Sequence, residues 1–413
     1  MPYSDNNNTV MLLPRIHYLH ADKMKFESIK TLRSKITSYM PKKRYGSTDS
    51  VFLILVLLLS LYGTVMVFSA GMPYAAARYH DEFYFIKKQT VWMLLGFATI
   101  IIASKISSDL LKRYTPMAYG ITLTLLILVL IVGFVGNGAK RWISIGPLTI
   151  QPSEIAKITL ILMLAKYFSD FEEKATDHIR SKNVLVYGTI IPFLILAIPI
   201  LLVMLQKHLS CIIILGAIGI LLIFAAGVNP KYLYALCIVG VVCITCLAIF
   251  TDYTKERIVV WQNPELYKLT GGWQTLQGLM AIGTGGIFGV GLGESILKHC
   301  YVSEPANDMI FAILCEELGV VGAMLMLVLF GALIVRMTQI ALRSNDTFSR
   351  LVCLGIAIKM AVQVLLNVAV VTNTIPNTGI SLPFFSYGGS SLIMLFFEMG
   401  VVLSVSRQSK ITK

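Results

Sequence analysis

Long apolar runs recur along the chain and are separated by short polar segments. Most runs are long enough to cross about 30 Å of hydrocarbon as a helix, and they are continuously apolar rather than alternating, which favours helices over strands. The pattern predicts an all-α integral membrane protein with one large extracytoplasmic loop between helices 7 and 8. Its ten predicted transmembrane helices lie near residues 51–70, 88–104, 117–136, 152–167, 184–205, 209–227, 232–250, 309–335, 351–371 and 390–405.

Composition and charge agree with this class and orient the bundle. Charged residues make up 14% of the chain, against about 25% in soluble proteins. With both termini in the cytoplasm, 23 of the 35 Lys and Arg residues lie in cytoplasmic segments and 10 in outer segments, as the positive-inside rule requires. The loop 251–308 is therefore predicted to lie outside. Anionic lipid accounts for the net charge of +13, so we expect no nucleic acid partner.

Three regions divide the chain. Residues 1–46 form a basic cytoplasmic tail without the apolar core of a signal peptide, residues 47–406 the membrane domain, and residues 407–413 a short cytoplasmic tail. Six of the seven cysteines lie in apolar runs, and only Cys300 lies in an outer loop. An external disulfide framework is therefore excluded.

The outer loop 251–308 is rich in glycine and ends on a carboxylate. Asp308 comes directly before the apolar run that begins at Met309, and Glu304 precedes it by four residues. Asp308 has two readings, as the N-cap of the following helix or as a general base at the membrane surface. Glu316, eight residues further on, is predicted to share its helix face, and two carboxylates in a low dielectric would raise one pKa.

Polar residues also flank the predicted fourth helix. Glu154 and Lys157 are three residues apart and can pair on one face, either as a structural ion pair or as part of a site. Lys140 and Arg141 lie just before that helix. They are either interfacial anchors or a phosphate clamp, since Arg presents a planar fork of donors.

A third polar segment, residues 373–391, is uncharged and full of turn formers. It contains Ser386 and leads through Gly388 and Gly389 into the last helix. Backbone N–H groups there could hold an anion, or the segment could be a re-entrant turn buried in protein. Lys359 and Glu398, within the last two helices, are expected to pair structurally.

Four blocks of sequence resemble a known family. GAKRWISIGPLTIQPSEIAK (138–157), AIGTGGIFGVGLGES (281–295), EPANDMIFAILCEELGVVG (304–322) and PNTGISLPFFSYGGSS (376–391) are similar to the signature blocks of the SEDS proteins, the membrane peptidoglycan glycosyltransferases of bacterial division, elongation and sporulation. The resemblance covers most of the chain from about residue 51. The long tail and the LPFFSYGGSS block resemble the division branch.

The resemblance implies polymerisation of lipid II at the outer face of the cytoplasmic membrane. The family's proposed catalytic Asp falls on Asp308 and its neighbouring Glu on Glu304, although Val302-Ser303 and Met309 depart from the usual pattern. Residues 206–210 read Gln-Lys-His-Leu-Ser where relatives often carry an Asp. That acidic role is therefore not transferred.

We expect Asp308 to take the proton from the acceptor hydroxyl while cations, Arg141 and Lys298 first, bind the departing pyrophosphate. The resemblance adds a divalent cation, Mg²⁺ or Mn²⁺, a class B penicillin-binding protein, other division or elongation proteins, and a place at the septum. The alternatives are a lipid II flippase and a non-catalytic division scaffold. The expected substrate-binding residues are Lys140, Arg141, Glu154, Lys157, Gln274, Gln277, Lys298, Glu304, Ser386, Gly388 and Gly389.

Overall fold

The computed structural model describes residues 48–136, 139–145, 148–178, 186–228, 252–269, 271–299 and 301–409, with residues 231, 232, 234, 238 and 240. The predictions for the tail 1–46, for most of the 232–250 run, for Cys300 and for residues 410–413 lie outside the described residues.

Eleven α-helices have both ends within the described residues. Pro152 opens α4 at a position where proline is tolerated, because the first turn of a helix lacks N–H partners. Asp49 and Ser107 cap α1 and α3 with side-chain oxygens. The helices are α1 Ser50–Tyr79, α2 Tyr84–Ala103, α3 Ser108–Val132, α4 Pro152–His178, α5 Ile191–Leu205, α6 Leu209–Ala225, α7 Asp252–Gln262, α8 Gly272–Gly285, α9 Ile310–Leu342, α10 Thr347–Val371 and α11 Gly389–Ser409.

Nine of the ten predicted runs coincide with helices, namely all except 232–250. Within the described residues, seven helical segments are long and apolar enough to cross a membrane. One of them, Gly188–Leu205, adds part of a π-helical turn to α5. The apolar α6, with 17 residues, is shorter. Of the residues in the most apolar stretches of α10 and α11, 61% and 67% are buried inside the protein. These two helices therefore carry their polar residues into the bundle instead of into lipid.

A small antiparallel sheet is added to the predicted helical bundle. It consists of β1 Phe134–Gly136, β2 Ala139–Ile145 and β3 Leu148–Ile150, in that order. The predicted helix 117–136 therefore ends four residues early, at Val132. The outer strands β1 and β3, with three residues each, are too short to show the alternation that would predict them.

The predicted loop 251–308 contains two helices, α7 and α8, and then returns to α9. A break at Gly319 interrupts α9, where φ is 63°. The returning chain fills this break: Val290 N donates to Glu316 O at 2.9 Å, and Val320 N donates to Gly286 O at 3.0 Å. A Cβ at Gly319 would stand 2.4 Å from the backbone of this chain. Only glycine fits here.

Candidate active site

Asp308 lies at the end of the long loop, and its side chain does not cap α9. The N-cap is Met309, which makes no side-chain capping bond. The carboxylate of Asp308 faces Gly379 instead, where a Cβ would stand 2.9 Å from Oδ2. The capping interpretation of Asp308 is therefore wrong, and its carboxylate is placed toward the 373–388 segment.

A set of hydrogen bonds ties the Asp308 backbone to that segment. Asn367, fully buried on α10, donates from Nδ2 to Asp308 O at 3.0 Å and to Ile380 O at 2.6 Å. The Ser386 hydroxyl donates to Asn307 O at 2.8 Å, and Tyr387 N donates to Ala306 O at 2.8 Å. These bonds hold the ends of two loops against each other.

Two charged side chains act on Asp308. Burial raises the pKa of Asp308 above its ordinary value, and the nearby carboxylate of Glu304 raises it further, whereas the guanidinium of Arg257 opposes both. Arg257 is positioned by donating from Nη1 to Asn377 O. Trp261, one turn further along α7, donates to Asn373 O at 2.9 Å. A carboxylate with a raised pKa beside an Arg is suited to accept a proton from a sugar hydroxyl.

A small cavity, lined by residues of α4, α10, α11 and the 373–388 segment, lies next to this site. Ser386 links the two, because it lines the cavity and also binds Asn307 O. Gln363 on α10 lines it too and donates to Ser381 O at 3.1 Å. Two charged residues, Glu154 and Lys359, also line the cavity.

Four charged residues on α4, α10 and α11 form two ion pairs. Lys157 Nζ lies 2.7 Å from Glu154 Oε1, and Lys359 Nζ lies 2.6 Å from Glu398 Oε1. All four side chains are buried. Both pairings match the predictions. Because burying an unpaired charge is costly, the pairs account for the presence of these residues, and only Glu154 and Lys359 also face the cavity.

Arg141 approaches the same region from the sheet. It is half-buried on β2, and its Nη2 donates to Lys207 O at 2.6 Å. Burial, and then the charge of Arg141, lower the pKa of the adjacent His208 to about 3, so that imidazole is neutral at pH 7. The hydroxyl of Ser210 donates to Thr378 O. Lys207 comes just before α6 and Ser210 lies in its first turn, so Arg141 lies near the part of the chain that contacts the turn at Gly379. Lys140 is exposed.

Lys298 and Glu316 do not occupy their predicted places. The Lys298 ammonium is fully buried, 2.8 Å from Glu317 Oε1 and 2.6 Å from Gly293 O. It is therefore not presented to a phosphate. The Glu316 carboxylate accepts from Ser295 Oγ and from the backbone of Ile296 at 3.0 Å. The Glu316 carboxylate therefore binds the glycine-rich segment and not the surroundings of Asp308. The carboxylate that acts on Asp308 is that of Glu304.

The remaining predicted residues surround the site at various depths. Gln274 is half-buried and Gln277 buried on α8, which packs against the start of α9 through Gly278, near Met309. Gly389 opens α11, where a Cβ would meet Trp92 at 2.4 Å. Gly389 therefore leaves room for the indole of Trp92, and Gly388 precedes it.

The described residues contain no group of three or more His, Cys, Asp or Glu side chains that could hold a metal ion. Asp308 and Glu304 supply two neighbouring carboxylates. Mg²⁺ in phosphate chemistry commonly takes only one or two carboxylates, with substrate phosphates and water completing its shell. The residues therefore fit a cation that arrives with pyrophosphate.

Three residues of this site had no assigned role in the sequence. Arg257 was indistinguishable from other loop cations, because its position beside Asp308 depends on how α7 folds back. Asn367 and Gln363 did carry a signal. Each is a lone amide in an otherwise apolar run, and polar side chains at membrane depth are costly and therefore informative.

Comparison with known proteins gives consistent matches over most of the chain. The profile of the FTSW_RODA_SPOVE family, described as "Cell cycle protein", matches residues 49–411. The chain is 36% identical over 367 residues to the "Probable peptidoglycan glycosyltransferase FtsW" of Geobacter sulfurreducens, covering 88% of this chain and 96% of that protein. It is 38% identical over 366 residues to the "Stage V sporulation protein E" of Bacillus subtilis, covering 88% and 98%.

Two solved structures share the fold. One is a chain of the work described as "Structural coordination of polymerization and crosslinking by a peptidoglycan synthase complex", with a TM-score of 0.73, 27% identity, and coverage of 88% of this chain and 99% of that one. The other is the rod shape determining protein RodA of Thermus thermophilus, with a TM-score of 0.64, 27% identity, and coverage of 88% and 98%.

Proposed function

The chain belongs to the FTSW_RODA_SPOVE family of cell cycle proteins, and on that premise we propose that it is a peptidoglycan glycosyltransferase that polymerises lipid II. The observation that carries the proposal is Asp308, a carboxylate at the end of a membrane helix that does not cap the helix. Asp308 faces the turn at Gly379 and lies between the charges of Glu304 and Arg257.

In the proposed reaction, Asp308 accepts the proton of the acceptor's GlcNAc 4-hydroxyl. The hydroxyl oxygen forms a bond to C1 of the donor MurNAc, and the bond from C1 to the pyrophosphate oxygen breaks. Undecaprenyl pyrophosphate leaves with the electron pair, and a single displacement inverts C1. One protein base suffices, because pyrophosphate is a good leaving group without protonation.

Charge that grows on the pyrophosphate requires fixed donors. Arg257 donates to Asn377 O beside the Gly379 turn, and Arg141 donates to Lys207 O, three residues before the Ser210 that bonds Thr378 O. Each guanidinium can bind phosphate with two parallel hydrogen bonds. In this proposal Arg257 replaces Lys298 as a pyrophosphate ligand, because the Lys298 ammonium is neutralised by Glu317. A divalent cation bound to the pyrophosphate would add to the same charge stabilisation.

We further propose that this end of the bundle lies outside the cytoplasm, that the protein serves septal wall synthesis, and that it works with a class B penicillin-binding protein. The Lys and Arg distribution supports the orientation. A structurally similar chain comes from a peptidoglycan synthase complex whose description names polymerization and crosslinking, which supports a partner that crosslinks. The FtsW relatives support the division role.

The test uses purified protein in vesicles with labelled lipid II, with and without a class B penicillin-binding protein, and measures glycan polymer. Asp308→Asn keeps the size of the side chain but cannot accept the proton, so we expect polymer to disappear. Asp346→Asn is the matched control, since Asp346 caps α10 through Ser349 N at 2.8 Å outside the site. Polymer at the wild-type rate from Asp308→Asn would refute the base assignment.

A lipid II flippase is the second candidate, and the charged cavity within the bundle favours it, because polar groups at membrane depth mark transport paths. The same vesicles distinguish the two functions. Translocation of labelled lipid II that survives Asp308→Asn, without polymer from wild type, would support the flippase. A protein that neither polymerises nor translocates, with or without its partner, would be a scaffold.

A further inference from the structure

Two polar contacts between α1 and α9 are separated by about the thickness of a bilayer's hydrocarbon core. At one end Arg336 Nη2 lies 2.8 Å from Asp49 Oδ2, and at the other the Ser69 hydroxyl donates to Glu317 at 2.7 Å. Twenty residues separate the two levels in α1, and nineteen in α9. At 1.5 Å per residue both distances are about 30 Å, which is the thickness of the hydrocarbon core.

The glycine loop, defined as residues 286–296, lies at the second of these levels. Gly291 N donates to Glu317 O at 3.0 Å, and Ile296 N donates to the Glu316 carboxylate at 3.0 Å. The sequence predicted that the whole segment 251–308 lies outside. In the structure the glycine loop instead packs beside α9 at the level of Glu316 and Glu317.

Except for Glu294, the side chains that the glycine loop turns outward are apolar. Phe288 is 81% exposed, Ile296 70% and Ile287 65%. From Gly272 to Leu297, Glu294 is the single charged residue. Beside the loop, the outer surface of α9 is apolar too, and its exposed residues there are Val320, Val321, Met324 and Leu325. The exposed surface of the loop therefore continues the lipid-facing surface of a spanning helix.

Part of the backbone of the loop is bonded to protein, which suits a low dielectric. Gly289 N donates to Gly285 O at 2.7 Å, Val290 N to Glu316 O at 2.9 Å, and Glu294 N to Gly291 O at 3.1 Å.

We propose that the glycine loop is an interfacial membrane anchor, with Ile287, Phe288 and Ile296 inserted among the acyl chains of bilayer phospholipid. Apolar side chains that enter by about 5–10 Å from the headgroup level are typical of such anchors. The exposed Glu294 then lies among the headgroups. This inference depends on the membrane-spanning helices alone and is independent of the reaction catalysed.

The experiment places an environment-sensitive NBD dye on a cysteine at position 288, in Cys300→Ser protein reconstituted into phosphatidylcholine vesicles. The Cys300→Ser parent is the labelling control and must take up no dye. Leu269→Cys is the matched position, because Leu269 is 89% exposed on the same loop outside the glycine loop. Nitroxide groups on lipid acyl chains and iodide in the buffer serve as quenchers.

We expect the dye on Phe288→Cys to emit at shorter wavelength, to be quenched by the acyl-chain nitroxides and to be protected from iodide. The dye on Leu269→Cys should show the opposite pattern. Equal iodide quenching at both positions would overturn the proposal. Protection at 288 from both quenchers would also overturn it, because another protein surface, such as a second copy of this chain, would then cover the loop.

Discussion

The Gly379 turn gives a sharp test of how Asp308 is positioned. Gly379 has φ +67°, and a Cβ there would stand 2.9 Å from the Oδ2 atom of Asp308. Gly379→Ala therefore does two things. It places an L residue in the left-handed region, at a cost of roughly 1–2 kcal/mol, and it pushes the carboxylate away from its position.

The loss of rate follows from the second effect. A carbon and an oxygen at 2.9 Å are closer than van der Waals contact, so the carboxylate must move by several tenths of an ångström. Since a misplacement of about 1 Å can cost 10²-fold in rate, we expect polymerisation by Gly379→Ala to fall about 10- to 100-fold. A matched control is Gly227→Ala, because Gly227 has φ +87° and no atom within 4 Å of the added carbon.

The assay measures polymer formed at saturating lipid II, with thermal unfolding recorded for each variant. Both Ala variants should lose similar stability, and only Gly379→Ala should lose rate. Wild-type turnover by Gly379→Ala, or an equal loss of rate in Gly227→Ala, would refute the reasoning.

Three further predictions concern charge and topology. Because the pKa of Asp308 is raised and the base must be ionised, the rate should fall as pH drops through this raised value. Arg257→Gln removes the opposing charge and should move that acidic limb to higher pH in a pH–rate profile. Arg141→Lys replaces a bidentate fork by a point charge and should slow polymerisation by about 30- to 1,000-fold, or roughly 2–4 kcal/mol of barrier. A rate within about threefold of wild type would instead identify Arg141 as an interfacial anchor. Leu269→Cys in Cys300→Ser protein should react with an impermeant thiol reagent on intact spheroplasts, and reaction only after lysis would place the loop inside.

The Asp308 block was found from sequence because its chemistry is local. A carboxylate directly before an apolar run can be seen without a structure. Its partners could not be found in this way. Asn367 and Gly379 are 59 and 71 residues further along the chain, and only the packing of α10 against the long loop brings them to Asp308.

Glu316 and Lys298 show the opposite case, where a local rule failed. Spacing along an assumed helix placed Glu316 on the Asp308 face, but α9 begins at Ile310, and the glycine loop takes the Glu316 carboxylate. Lys298 lies in a polar loop, yet it is fully buried because Glu317 and Ser69 surround it. The burial of an ion in a loop depends on partners that spacing does not reveal.

The sequence by itself determined the membrane class and nine of the described helices, because hydrocarbon forces each spanning segment to satisfy its own backbone. It also determined the pairs Glu154–Lys157 and Lys359–Glu398, since charges in a low dielectric require partners. The tertiary structure alone decided the small sheet, the break at Gly319 and the neighbours of Asp308. These depend on contacts between distant segments, whose geometry is set by packing and not by any local periodicity.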